Sequence, residues 1–443
     1  MEAKTSERVL DPCPRRRHER TTYVIGFLAG LMPMNSTDGL IQQLGSRVDN
    51  DSDAIQDFFM RMLRVNAVNP KMGGPGEWER ANFIEDFLRN EGFPVERVDV
   101  NDPETGKTRP NLSARVEGKG PKNLWYVAHM DTVPEGSKEL WKTDPFEPTV
   151  RDGKIFARGA EDNGQALASS LFALLELRRA RAELPFNVGV WLVSDEEFGS
   201  VYGVKHLLDR GHFRKDDIVI VPDSGTPNGG DIEIAEKGLL WFKVTTTGKQ
   251  VHASTPAKGM NAHRIGMKLA IDIDEALHRK YTDADQIFNE PRSTFEPTKV
   301  EQNVANVNTI PGLDVFCFDC RVLPKIRLED VVSDVERIIA EYEARYHAHV
   351  SLDLIQKDSA GPATSETSEA STLLARAVQR TTGTRPRFVG IGGLTVGNLF
   401  RKAGIPTAVW STIDEVAHEP NEYCHIKNLI NDTKVFAALP LLA

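Results

Sequence analysis

Cysteine is scarce in this sequence, and several other features are missing. Only four cysteines occur among 443 residues, too few for a disulfide framework, which indicates a reducing compartment. There is no run of about 18 apolar residues, so a membrane-spanning helix is not expected. Lysine and arginine number 54 against 64 acidic residues, without a basic stripe that could neutralise a phosphate backbone. We therefore expect neither a membrane nor a nucleic acid as a partner.

The remaining composition is that of a soluble globular protein, with 27% charged and 40% hydrophobic residues and no biased tract. The length exceeds what one core usually holds, so two domains or one domain with an insertion are expected. Residues 1–49 are predicted to be a poorly ordered extension. Its apolar run at 23–34 imitates a secretory signal but contains glycine and proline. We therefore expect a cytoplasmic protein, with export or a start at Met34 as alternatives for this segment.

Strand-like apolar runs alternate with helical patterns between residues 50 and 237, the first part of a predicted catalytic domain. Helices are predicted around 55–63, 83–88, 164–181 and 201–209, and buried strands over 124–128, 188–193 and 218–221. This alternation is typical of a largely parallel sheet with helices on both faces.

A different pattern begins at residue 238. Strands and helices are predicted in the order β-α-β-β-α-β, over 239–246, 262–277, 304–310, 313–322, 329–346 and 350–355. That order is typical of a ferredoxin-like α+β unit. Residues 238–356 are therefore predicted to form an inserted lid. The α/β pattern resumes in 357–443, the second part of the catalytic domain, with a helix at 370–381 and a strand at 407–411.

Polar residues are concentrated just after the predicted strands, where ligands bind to open α/β sheets. They are His129, Asp131, Glu196, Glu197, Asp223 and His418, together with Asp162 at the start of a helix. Alone, Asp162 would be read as a helix cap and the paired glutamates as a solvated loop. Together, so many carboxylates at one rim would repel one another unless cations neutralised them. Carboxylate and imidazole ligands suit a divalent metal such as zinc.

Eight segments in this order resemble the motifs of the dinuclear zinc amidohydrolases and peptidases. They are AHMDTVPEG, ARGAEDNG, SDEEFGS, VPDSG, GKQVHASTPAKGMNA, NTIPG, FDCR and AHEPNEY. That family includes succinyl-diaminopimelate desuccinylase, acetylornithine deacetylase, aminoacylase and glutamate carboxypeptidase. The sequence is most similar to archaeal-type proteins assigned as desuccinylases. The resemblance implies a zinc-peptidase-like α/β/α catalytic domain with an inserted ferredoxin-like lid that serves dimerisation.

The resemblance also implies roles for the polar residues. Two divalent metal ions are expected, zinc with cobalt as the alternative, held by His129 and Asp223, by Glu197 and His418, and by a bridging Asp162. A bridged pair of metals lies about 3.5–4 Å apart. Asp131 is expected to fix the tautomer of His129, and Glu196 to act as general base. The family also implies a cis peptide after Asp162.

For the lid, the resemblance implies that His252 reaches the reacting oxyanion across a homodimer. Asn308 and Arg321 are expected to bind the substrate carboxylate, since the arginine fork accepts a carboxylate bidentately. One segment departs from the family: Val396 and Asn398 stand where bacterial desuccinylases usually have Asp and Arg. This departure removes a plausible anchor for the acyl end of the substrate.

Together these observations predict a metal-dependent hydrolase that cleaves the amide bond of a small N-acyl amino acid. N-succinyl-diaminopimelate, hydrolysed to diaminopimelate and succinate in lysine biosynthesis, is the leading substrate. Acetylornithine deacetylase and a dipeptidase or carboxypeptidase are alternatives with the same chemistry. A noncatalytic metal-binding scaffold is the alternative from another class, although a protein of that kind would not need Glu196 beside its ligands.

Overall fold

The structure is a computed structural model and describes residues 37–443. Its helices are α1 Thr37–Asn50, α2 Ser52–Arg64, α3 Trp78–Asn90, α4 Ala166–Arg179, α5 Val204–Asp209, α6 Ala262–Lys280, α7 Leu328–Tyr346, α8 Glu369–Thr382, α9 Val396–Lys402 and α10 Ile426–Ala438. No helix in this part of the chain is both long and apolar enough to cross a membrane.

The strands belong to two main sheets and two small ones. They are β1 Glu96–Asp102, β2 Lys107–Val116, β3 Asn123–His129, β4 Thr149–Arg151, β5 Lys154–Phe156, β6 Asn187–Val193, β7 Ile218–Gly225, β8 Asp231–Glu236, β9 Gly238–Thr247, β10 Val251–His252, β11 Thr294–Val300, β12 Thr309–Ile310, β13 Leu313–Val322, β14 His349–Asp358, β15 Arg387–Ile391, β16 Thr407–Ser411 and β17 Tyr423–His425.

The larger sheet has the strand order β1-β2-β6-β3-β7-β16-β8-β15. Its centre, β6-β3-β7-β16, is parallel, as the alternating sequence pattern predicts. The pairs β1-β2, β2-β6 and β16-β8 are antiparallel. The edge pair β15-β8 is also parallel. The sheet is therefore mixed, and the predicted parallel pairing is found in the central strands that carry the site and at this edge.

The two faces of the central strands are buried under different helices. In β3, Leu124 and Tyr126 pack in the core that contains α4 and α10, whereas Trp125 and Val127 pack in the core that contains α5 and α9. This division follows from the alternation of side chains along a strand. Since both faces are covered, strands such as β3 and β6 consist of continuously buried residues.

The lid is a second sheet of four antiparallel strands in the order β11-β13-β9-β14. Helices α6 and α7 supply apolar residues to the same core as these strands. The chain order β9-α6-β11-β13-α7-β14 is the predicted β-α-β-β-α-β order. This second sheet lies in the chain between β8 and β15 of the larger sheet.

Two sequence-based expectations differ from the structure. The second lid strand is β11, not residues 304–310, where only Thr309–Ile310 is a strand and Val307 is fully exposed. The predicted poorly ordered extension ends in helix α1, whose Leu44 and Val48 are buried in the main core. Residues 1–36, including the signal-like run and Met34, lie outside the described part of the chain.

Candidate metal centre

Two groups of potential metal ligands share one carboxylate. His129, Asp162 and Asp223 form the first group, and Asp162, Glu197 and His418 form the second. The Nε2 atom of His129 lies 2.9 Å from Oδ1 of Asp162 and 3.6 Å from Oδ1 of Asp223. The Nε2 atom of His418 lies 3.0 Å from Oδ2 of Asp162 and 3.2 Å from Oε2 of Glu197. The structure thus brings together all five predicted ligands, with Asp162 between the two histidines.

The topology of the sheet explains this convergence. His129 ends β3, Asp223 lies within β7, and Glu197 lies in a short turn that follows β6. Because these parallel strands are neighbours, their carboxyl ends meet at one edge of the sheet. Asp162 precedes α4, and the Asp162–Asn163 peptide is cis, as the family resemblance implies. His418 comes from the loop after β16.

Asn163, to which the sequence pattern assigned no role, links the two ligands of the first group. Its Oδ1 atom accepts a hydrogen bond from the backbone N–H of His129 at 3.3 Å. Its Nδ2 atom donates to Oδ1 of Asp223 at 2.6 Å and to the carbonyl of Pro222 at 2.9 Å. The side chain thereby fixes one oxygen of Asp223 relative to the end of β3.

The tautomer of His129 is set by a backbone carbonyl. Its Nδ1 atom lies 3.0 Å from the carbonyl oxygen of Asp131, whereas the nearest carboxylate oxygen of Asp131 is 3.6 Å away. A carbonyl can only accept, so Nδ1 donates a hydrogen bond to it, and Nε2 faces Asp162. The Asp131 side chain, which the sequence predicts to fix this tautomer, lies farther from Nδ1 than the Asp131 carbonyl does, and that role stays a prediction.

The Asp131 carboxylate instead organises the turn after β6. It accepts hydrogen bonds from the backbone N–H of Glu196 at 3.0 Å, from that of Glu197 at 3.2 Å and from Nδ2 of Asn69 at 2.7 Å. Asp131 is fully buried. It therefore fixes the backbone from which both the predicted base and a predicted ligand project.

Glu196 lies beside the ligands with a carboxylate that accepts no hydrogen bond from residues 37–443. Burial raises its pKa well above the ordinary range, and the negative charges of Asp223 and Glu197 raise it further against the opposing effect of His129. A carboxylate that is not held by hydrogen bonds and whose proton affinity is raised has the properties of a general base.

The charges of the second group respond strongly to one another. Burial would raise the pKa of Asp162, but hydrogen bonds from His129 and His418 outweigh it and hold that pKa well below its usual value. Hydrogen bonds to Asp162 and Glu197 raise the pKa of His418 to about 10. Burial and the charge of Asp162 raise the pKa of Glu197 to about 7. The carboxylates of Asp162 and Glu197 thus strongly favour a positive charge placed between them.

The donor set fits two divalent metals. Each group offers one imidazole nitrogen and carboxylate oxygens, all within 4.8 Å of one another, and this combination suits zinc. A metal in each group would supply the positive charge that the carboxylates attract. Residues His129, Asp162 and Asp223 would hold one ion, and Asp162, Glu197 and His418 would hold the other.

The predicted lid residues lie apart from this cluster within the chain. No hydrogen bond or ion pair in residues 37–443 joins His252, Asn308 or Arg321 to the predicted ligands. His252 is exposed, and its Nδ1 atom lies 2.7 Å from the hydroxyl of Ser254. Arg321 pairs with both carboxylate oxygens of Asp319, at 2.6 and 3.0 Å, and donates to the carbonyl of Gly392 at 3.0 Å.

The two departures from the desuccinylase pattern are structural residues in α9. Val396 is buried in the core that α5 and α9 share with the sheet. Asn398 is 3% exposed, accepts a hydrogen bond from the N–H of Gly361 at 2.6 Å and donates to the carbonyl of Ser359 at 3.2 Å. Neither side chain offers a cation to a ligand.

Further buried charges that the sequence pattern left without a role surround the segment before α4. Arg158, Glu161 and Glu422 are 1%, 5% and 0% exposed. All three lie within motifs AHEPNEY and ARGAEDNG, beside predicted ligands. Their closeness to Asp162 and His418 in sequence is the signal by which they could have been found.

Comparisons with known proteins agree with this geometry. Residues 125–441 match the model of peptidase family M20/M25/M40. A metallohydrolase of Methanocaldococcus jannaschii described as uncharacterised is 37% identical, covering 85% of this chain and 96% of that protein. A succinyl-diaminopimelate desuccinylase of Rickettsia rickettsii is 29% identical, covering 84% and 95%.

The fold also recurs among solved structures. Human carnosine dipeptidase 1 aligns with a TM-score of 0.70 at 18% identity, covering 91% of this chain and 98% of that protein. Because the family match spans most of the chain and includes every predicted metal ligand, the resemblance found in the sequence is confirmed: this chain belongs to peptidase family M20/M25/M40.

Proposed function

We propose that this M20-family hydrolase uses two zinc ions to cleave the amide bond of a small N-acyl amino acid. The observation that carries the proposal is the pair of ligand groups that share Asp162, with the Glu196 carboxylate beside them. A noncatalytic metal scaffold would have no use for a carboxylate that is held among ligands without a hydrogen-bond donor. The imidazole and carboxylate donors suit zinc, with cobalt as the alternative.

Each residue then has a defined task. Bound metals would polarise the scissile carbonyl and make water more acidic. Glu196 accepts a proton from the attacking water on a carboxylate oxygen and delivers it to the nitrogen of the leaving amine. The Asp131 carboxylate keeps Glu196 in place by accepting a hydrogen bond from the backbone N–H of Glu196. Arg321 and Asn308 bind the carboxylate of the substrate, for which Arg321 exchanges part of its pairing with Asp319.

N-succinyl-diaminopimelate is the leading substrate, supported by the 29% identical desuccinylase relative. The acyl end needs a cation that the buried Val396 and Asn398 do not supply. The exposed Lys249 and Lys258, which flank the His252 segment, are the candidates for that role. N-acetylornithine and plain dipeptides need no such cation and are the alternative substrates.

A competition assay tests the substrate. N-succinyl-diaminopimelate, N-acetylornithine and a dipeptide are supplied together at equal concentration to the zinc-loaded enzyme, and each product is quantified. We expect the succinyl compound to be consumed fastest and its amide lacking the free α-carboxylate to be a poor substrate, since the bidentate pairing of Arg321 with that carboxylate would be lost. A preference above about tenfold for either rival, roughly 1.4 kcal/mol in transition-state binding, would replace the leading substrate and leave amide hydrolysis standing.

We also propose that the enzyme is a cytoplasmic homodimer in which His252 serves the site of the partner. Three cysteines in residues 37–443 are free and buried, in keeping with a reducing compartment. His252 is exposed and forms no hydrogen bond or ion pair with the ligands of its own chain within residues 37–443, as expected of a residue that acts across a two-fold axis.

Mixed dimers test this arrangement. His252→Ala and Glu196→Gln chains should each be inactive alone, and mixing them should restore about a quarter of the wild-type activity. The reason is that half of randomly formed dimers are hybrids, each with one complete site of two. Hybrids that form, as verified with two affinity tags, yet stay inactive would contradict a role for His252 across the dimer.

A further inference from the structure

Glu422 is a fully buried carboxylate that accepts four hydrogen bonds from the segment ending in the bridging ligand. Its donors are the Nη1 atom of Arg158 at 2.6 Å and the backbone N–H groups of Gly159 at 3.0 Å, Glu161 at 2.8 Å and Asp162 at 3.0 Å. These N–H groups lie just before α4. N–H groups at the start of a helix have no acceptor within the helix, and here Glu422 supplies one. The position of the Asp162 backbone is thereby tied to a residue far along the chain.

Glu161 makes the reciprocal connection. Its two carboxylate oxygens accept the backbone N–H groups of Asp414 at 2.6 Å and Val416 at 2.5 Å. These residues begin the loop that carries His418, whose side chain is about half exposed. In addition, the Nη2 atom of Arg158 donates a hydrogen bond to the carbonyl of His418 at 3.2 Å. The His418 side chain is only partly covered by packing. The hydrogen bonds from Asp414 and Val416 and to the carbonyl of His418 therefore hold the loop near the cluster.

We propose that Glu161, Glu422 and Arg158 form a reciprocal clamp that positions Asp162 and His418 for metal binding. Each carboxylate comes from one segment and accepts backbone N–H groups of the other segment. Both oxygens of each carboxylate accept such hydrogen bonds. The inference rests on the proposed two-metal site. All three are positioning residues, since they act through the ligands and do not touch the substrate.

The two carboxylates act on different parts of the site. Glu161 holds only the His418 loop, so its loss weakens the metal bound by Asp162, Glu197 and His418. Glu422 holds the N–H of Asp162, which belongs to both groups of ligands, so its loss weakens both metals. This difference separates a clamp from a general contribution to stability, which would affect both variants in the same way.

The test is a titration of metal-free protein with zinc. A parallel titration uses cobalt, whose binding is followed by its visible absorption. Wild-type protein should bind two metals per chain. Glu161→Gln should lower the affinity for one metal by about 10- to 100-fold, the usual effect of removing a partner that orients a ligand, and leave the other metal unchanged. Glu422→Gln should lower both affinities. Glu415→Gln, an exposed carboxylate of the same loop, is the matched control and should bind as wild type.

Arg158→Lys keeps a cation beside Glu422 and removes the second guanidinium nitrogen, so it should weaken the metal at His418 even where a glutamine variant fails to fold. The melting temperature of each metal-free variant is measured alongside. Wild-type affinities in all three variants, or equal weakening of both metals in every variant, would overturn the clamp alone. Wild-type protein that binds fewer than two metals would overturn the proposed function, and the clamp with it.

Discussion

Replacing Glu196 with glutamine should leave the fold and both metals in place and lower turnover by at least about 100-fold. Glutamine has nearly the same shape but cannot accept a proton from water at its amide. Glu196 is not among the predicted ligands, so metal content should stay at the wild-type value. The loss corresponds to about 2.7 kcal/mol of transition-state stabilisation.

The measurement combines steady-state kinetics with metal analysis of the same preparation. Glu139→Gln is the matched control, because Glu139 is an exposed carboxylate outside the ligand groups, and it should retain full activity. Turnover of Glu196→Gln within about threefold of wild type, far from the loss expected of a missing base, would show that another group moves the proton. A simultaneous loss of metal would instead point to Glu196 as a ligand.

The fold was predictable wherever burial dictates the pattern of residues. Strands β3, β6 and β7 are continuous apolar runs because helices cover both faces of the sheet. Strand β11 was missed because it is an edge strand that is mostly exposed and contains Pro297. The segment 304–310 attracted the prediction through its valines, yet Val307 faces solvent completely. Edge positions carry too weak a hydrophobic pattern to be located from sequence.

The ligands were predictable for a related reason. They follow parallel strands, and neighbouring parallel strands end at the same edge, so residues distant in sequence meet there. The groups that hold the ligands in position could not be predicted from this pattern. The carbonyl of Asp131 that orients His129 and the N–H groups that Glu161 and Glu422 accept belong to the backbone. Every residue carries these groups, so sequence does not mark which ones are used.

Replacing Asp162 with alanine should have the largest effect on metal content. Asp162 contributes to both ligand groups, with Oδ1 toward His129 and Oδ2 toward His418, so one substitution removes a ligand and a negative charge from each metal. We expect metal content to fall from about two ions to fewer than one per chain, with amide hydrolysis abolished.

A comparison with His418→Ala makes this expectation specific to a bridge. That variant loses a ligand from the second group only and should retain the ion held by His129, Asp162 and Asp223. Asp209→Ala, in an exposed position of α5, controls for the loss of a surface carboxylate and should keep both ions. Metal analysis after dialysis against metal-free buffer ranks the variants. If Asp162→Ala still held two ions, or lost no more than His418→Ala, the two metals would not share Asp162, since a bridging ligand must weaken both sites when it is removed.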